Sequence, residues 1–202
     1  MEQFKYTEKP DWVTWDSVLE CIRASHKVND KKGFHMLNQE MTADELQKKL
    51  RSGHCFVALD GDKVVGTCST IIRKGDRWWS RGKIIAYNCL DGVLPEYQGT
   101  DVFIDMRQFR SQFIKNNPEV EIIQFNTAEQ NKVVQKLALR RGAKYVQYSA
   151  TGKGANYYSV IMVQWLNGCP YSDRFINFMF SLSKIVVKII WKPGYKLRLW
   201  PW

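Results

Sequence analysis

The chain predicts an α/β domain built on a mixed, mostly antiparallel twisted sheet with helices on both faces. Three observations carry this expectation. Asp60-Gly61-Asp62 separates two apolar, β-branched runs and is a strong hairpin signal. An apolar run at 83–90 passes through the turn Val93-Leu94-Pro95-Glu96-Tyr97-Gln98-Gly99-Thr100-Asp101 into a helical pattern at 102–115. Beyond it strand and helix alternate at a spacing that implies a crossover with parallel pairing.

Before these, residues 4–7 read as a short edge strand. Asp11 or Thr14 caps a helix over 15–28 whose apolar face holds Val18, Leu19 and Ile22. A polar connection leads to Thr42, where Glu45 three residues on makes a capping box, and the helix at 43–51 ends at Gly53. Strands at 55–59 and 64–72 flank the hairpin turn. The loop at 74–82 interleaves Lys74, Arg77 and Arg81 with Trp78 and Trp79, beside Arg73. Such a pattern can grip a nucleic-acid backbone, but the reading with more weight folds the tryptophans onto the sheet.

The helix at 103–115 stops before Asn117-Pro118, because the residue before proline avoids the helical region. A strand at 120–125 follows, then a helix from Thr127 to Arg141 capped by Glu129 or Gln130 and closed by Gly142. Strands at 143–149 and 157–166 are joined by Thr151-Gly152-Lys153-Gly154. Composition changes at Asn167-Gly168-Cys169-Pro170. The domain reading is therefore 1–168, with a basic, apolar extension at 169–202. In that extension a helix over 173–191 aligns Lys184, Lys188 and Lys192 on one side, ahead of a Trp-rich tail. In falling order of weight, the extension covers an open sheet edge, forms a homodimer interface, or lies on anionic lipid.

A net charge of +10, from 30 Lys+Arg against 20 Asp+Glu, favours an acidic ligand or partner. Nucleic acid is disfavoured, since no helix-turn-helix, zinc or RNA-binding signature is present. The five cysteines are scattered and odd in number, which reads as reduced thiols in a cytoplasmic protein. Residues 1–10 are charged with no apolar run, so no signal peptide is expected. His26, His35 and His54 lack metal-ligand spacing, and no metal is expected.

The order helix, helix, three antiparallel strands, helix, strand, helix, two strands resembles the GNAT superfamily of acetyl-CoA-dependent N-acetyltransferases. The likeness extends over most of 4–166. Val93, Pro95, Gln98 and Gly99 match the first half of that family's V-x-P-x-x-(Q/R)-G-x-(G/A)-x-(G/A) loop, and Asn131 lies eleven residues before Gly142, as in its N-x-x-A-x-x-x-Y-x-x-x-G-F helix. Asp101 and Phe103 replace small residues of the loop, and Ala138 stands where the family has its acid tyrosine.

The resemblance implies acetyl-CoA as co-substrate and a small-molecule or peptide amine as acceptor. Leu90, Val93, Gln98, Gly99, Thr100, Asp101, Val102 and Asn131 would bind the cofactor, with the pyrophosphate on the helix N-terminus. Arg107, Arg110, Lys132 and Lys136 are candidates for added phosphate contacts. Gly92 marks the expected strand bulge, and Asp91 is the candidate base or else a turn residue. Tyr148, Tyr157 and Tyr158 are candidate acids for the leaving thiolate. The departures keep a second function open, an inactive GNAT-fold protein that binds a ligand or a protein partner.

Overall fold

The computed structural model describes residues 4–28, 30, 37–150 and 158–191, which divide into two compact units. Tyr157, the Gly152-Lys153-Gly154 turn, part of the 28–41 connection and the tail beyond residue 191 lie outside the described residues.

The first unit comprises Met1–Lys74 and Ile84–Val120. Its strands β1 (Lys5–Glu8), β2 (Gly53–Asp60), β3 (Lys63–Lys74) and β4 (Ile84–Val93) form an antiparallel meander in that order. Alternation along a strand sends neighbours to opposite faces, and the residues of β2 sort accordingly. Cys55, Val57 and Leu59 join one buried cluster, packed with Val18, Leu19 and Ile22 of α1 (Trp15–Lys27) and Leu46 of α2 (Ala43–Lys49). Phe56 and Ala58 join another, packed with Val102 and Met106 of α3 (Val102–Lys115). Helices therefore cover both faces of this sheet. Thr14 caps α1 through Ser17 N–H, and Thr42 with Glu45 makes the expected capping box on α2.

The second unit comprises Gly75–Lys83 and Glu121–Trp202. Here β7 (Tyr158–Trp165) lies between β5 (Val120–Ala128) and β6 (Lys144–Ala150), antiparallel to each. Ala138 of α4 (Lys132–Leu139) is buried with Ala143, Tyr148, Val160 and Met162. The helix α5 (Asp173–Ile185) packs on β6 and continues as a π-helical turn, Val186–Trp191. Ser183 of α5 accepts the Tyr148 N–H at 2.9 Å and donates to Phe180 C=O. In the 75–83 loop Trp79 is buried, and Trp78 packs at steep ring angles against Tyr171 and Phe175.

Several boundaries differ from the sequence expectation. The helix expected to run to Arg51 ends at Lys49, and Gly53 opens β2 rather than terminating a helix. The third strand does not stop at Leu90 but runs through Asp91 and Gly92 to Val93. Thr127 and Ala128 extend β5, so α4 starts five residues later than expected, with Asn131 as its cap. Thr127 is a β-branched residue in buried surroundings, and its strand propensity and packing keep it in β5 rather than in the helix.

Among the described residues no helix is long and apolar enough to cross a membrane. No group of His, Cys, Asp or Glu among them is placed to hold a metal.

Candidate active site

The end of β4 is irregular in a specific way. Cys89 pairs with Ser69 and Gly92 with Thr67, so Leu90 and Asp91 together oppose Cys68. That is a β-bulge of two residues against one. Leu90 sits at φ +58, a left-handed conformation that costs a non-glycine residue about 1–2 kcal/mol. The bulge is thus at Leu90, not at Gly92 as the sequence suggested. Gly92 serves close approach instead: a Cβ there would lie 3.1 Å from Ser25 Cβ and 3.5 Å from Ile22 Cα. Ser25 Oγ in turn accepts the Val93 N–H at 3.1 Å.

Beside the bulge, Asp91 is held by α3. Arg110 donates through Nη1 to Oδ1 at 2.5 Å and through Nη2 to Oδ2 at 2.8 Å, and through Nη1 also to Ser69 C=O at 3.1 Å. Burial opposes the guanidinium charge, yet Asp91 outweighs it and holds Arg110 above the ordinary arginine pKa. Arg110 is therefore not a phosphate contact; it is buried and committed to Asp91. The Asp91 carboxylate is correspondingly an ion-pair partner on both oxygens. His26 Nε2 lies 3.0 Å from Asp91 C=O, and burial pushes the imidazole below its usual pKa.

The chain then turns toward α3. Gln98 Nε2 donates to Val93 C=O at 3.1 Å, folding the turn back on the strand end. Gly99 has φ +91, which suits glycine and leaves open space where a Cβ would be. Thr100 Oγ1 donates to Tyr97 C=O at 2.7 Å and receives a long contact from Val102 N–H at 3.4 Å. Asp101 occupies the N-cap position but makes no side-chain cap bond. Its carboxylate therefore does not compete for the first-turn N–H groups, and only its charge acts against an anion there. The turn is braced from outside by Lys63–Glu96 and by Tyr97 Oη donating to Asp60.

The remaining candidates belong to the second unit. Tyr148 is buried, and its hydroxyl donates to Glu129 at 2.5 Å. Burial and that hydrogen bond raise its pKa well above the ordinary phenol value. Tyr158 packs against Tyr148 at 5.2 Å between ring centroids, the rings tilted by 31°. Asn131 caps α4, its Oδ1 accepting from Val134 N–H at 3.4 Å. Ala138 is fully enclosed by the α4 cluster, where a tyrosine ring would need the volume now filled by Tyr148 and its neighbours. Cys89 carries a thiol that burial pushes up to about 12, consistent with an inert side chain.

No family sequence model and no curated protein sequence matches the chain. Solved structures do. An acetyltransferase from Streptococcus agalactiae superposes with a TM-score of 0.59 at 18% identity, covering 82% of this chain and 100% of its own. Arabidopsis thaliana NAA60 in complex with acetyl-CoA gives 0.58 at 11% identity, covering 82% and 100%. The ribosomal-protein-S18-alanine N-acetyltransferase from Escherichia coli gives 0.59 at 10% identity, covering 81% and 94%. The chain has the GNAT acetyltransferase fold.

Within this GNAT fold, the strand, bulge, turn and helix of the sequence resemblance fall on β4, Leu90, Gln98–Thr100 as a turn, and α3. Three residues escaped sequence reasoning. Arg110 looked like one basic residue among several on a helix face. Glu129 looked like a cap and is instead the partner of Tyr148, Lys184 and Lys188. Asn88 on β4 buries Oδ1 without a hydrogen-bond partner among the described residues, and no sequence signal marks it.

Proposed function

We propose that the chain is an acyl-CoA-dependent N-acyltransferase, moving an acetyl group from acetyl-CoA to a primary amine by direct attack. The observation that carries this reading is the Leu90 bulge followed, within one unit, by the open Gly99 turn at the start of α3. First-turn N–H groups of a helix lack intrahelical partners and favour an anion, here the pyrophosphate. The backbone at Gly99 leaves room for it, and Gln98, Thr100 and Val102 shape the turn. Leu90 and Val93 border the strand end from which a thioester carbonyl would be held.

In the reaction the amine lone pair attacks the thioester carbonyl, the C–N bond forms and the C–S bond breaks. The amine proton leaves, and the thiolate takes a proton. Because Asp91 is chelated by Arg110, its role in this reading is to fix the bulge, and the amine proton passes to water. Tyr148 donates its hydroxyl hydrogen to Glu129 in a hydrogen bond, which argues against it as the acid for the thiolate. Asn131 contributes by setting the start of α4.

Asp101 and Ala138 favour the second reading, a GNAT fold kept for binding without catalysis. Calorimetric titration with acetyl-CoA separates the two. Binding is expected in the range of about 1 μM to 1 mM usual for enzyme substrates, followed by turnover in an amine screen. Asp101→Gly should tighten it roughly fivefold, the effect of removing one charge several ångströms from a phosphate in a partly solvated site. No binding in either protein would sink the transferase reading and leave the interaction module.

A further inference from the structure

We propose that the outer face of α5 and its π-helical continuation is a docking surface for an anionic lipid bilayer. This inference is independent of the acyltransferase reading. On its inner side α5 is an ordinary packed helix: Ile176 is buried, and Phe180 and Val187 pack on the α4 cluster with Tyr145 and Tyr148. The opposite side should then be polar. It is not. Phe178, Leu182, Ile185, Val186 and Ile189 are 63%, 42%, 52%, 40% and 65% exposed. Their three- and four-residue spacing places them in one stripe along the helix, which makes it apolar on two faces. Single exposed apolar residues need no explanation, but a contiguous stripe of this kind marks an interaction surface.

Charge decides the occupant. From Arg174 to Trp202 the sequence holds six Lys or Arg and no Asp or Glu. Arg174 flanks the stripe by helical spacing, while Lys184 and Lys188 turn inward, where among the described residues they pair with Glu129. Two copies apposed through this face would bring two such cationic segments together with Asp173, at the start of α5, as the one acid of each, and that carboxylate is already paired with Lys144, so association is disfavoured. An anionic bilayer supplies the missing negative charge and an apolar layer for the stripe. The segment also contains Trp191, Tyr195, Trp200 and Trp202, residue types that favour the headgroup level. With no described helix fit to cross, the helix would lie in the plane of the interface.

Flotation of the full chain with vesicles tests this. Phosphatidylcholine vesicles containing phosphatidylglycerol should bind at least about tenfold more tightly than pure phosphatidylcholine, and added salt should weaken the binding. The triple variant Phe178→Gln, Leu182→Gln, Ile189→Gln should lose about tenfold or more, since the apolar face no longer inserts. These side chains are exposed, and unchanged circular dichroism and melting would confirm an intact fold. Wild-type protein that ignores anionic vesicles at low salt overturns the proposal without any variant. A triple variant that binds as wild type also overturns it, because the basic tail alone would then be recruiting lipid. A dimer in light scattering, lost in the triple variant and without vesicle binding, would assign the face to a second copy instead.

Discussion

Arg110 sits at the point where the bulge meets α3. Its guanidinium satisfies both Asp91 oxygens and a backbone carbonyl of β3, so three groups depend on one buried charge. Removing Arg110 leaves the half-buried Asp91 carboxylate unpaired, and breaking a buried pair costs up to about 3–5 kcal/mol. Arg110→Met is therefore expected to lower the unfolding free energy by that amount in urea. The double variant Arg110→Met, Asp91→Leu should recover much of the loss, because no charge is then stranded. If the single variant costs under about 1 kcal/mol, the pair is solvated and not the anchor of the bulge. Asp91 was visible in the sequence as the carboxylate beside the loop. Its partner was not, since nothing in a helical pattern says which arginine faces inward.

At the scale of elements, the alternation of β2 and β3 and the capping of α1 and α2 were legible because each rests on local chemistry. The ends of β4 and β5 were not. Asp91-Gly92 reads as a turn locally, but Gly92 is set by the approach of α1, a contact distant in sequence. Thr127 likewise reads as the start of a helix until its burial in β5 is known. The docking of α5 was legible only in outline. Its electrostatic tie is Glu129, which accepts from Tyr148 of β6 and pairs with Lys184 at 3.5 Å and Lys188 at 3.8 Å. Burial works against the Glu129 carboxylate, but the Tyr148 hydrogen bond and the two lysines prevail and lower its pKa below the ordinary 4.5. A depressed carboxylate pKa stabilises the fold above the unfolded value and loses that contribution as pH falls through the folded one. Glu129→Gln should thus cost about 1–2 kcal/mol at neutral pH. Wild type and variant should converge only as pH drops below 4.5 in acid-denaturation curves. A gap that stays constant down through that range would mean Glu129 is not the tie.

Across the whole molecule, the five cysteines offer a readout of how each unit opens. Cys21, Cys55, Cys68 and Cys89 belong to the first unit and Cys169 to the second. Burial pushes the thiols of Cys21, Cys68 and Cys89 up to about 12 and raises that of Cys55 as well. Only a thiolate reacts readily with alkylating or disulfide reagents, so Cys21, Cys55 and Cys68 are protected by pKa and by packing, and the half-buried Cys89 by its raised pKa. Cys169 is half-buried in the segment after β7, with its Sγ bonded to Tyr171 C=O at 3.4 Å. Its modification requires a local movement, while that of the three buried thiols requires the first unit to open. In a thiol-labelling time course at pH 8, one equivalent should react early and four late. Adding urea below the unfolding midpoint should accelerate the late phase in proportion to the population of the opened unit. Two or more fast equivalents, with Cys89 identified among them by peptide mapping, would show that the strand carrying the bulge is open in the native protein, and the argument for a rigid carbonyl-binding strand end would fail with it.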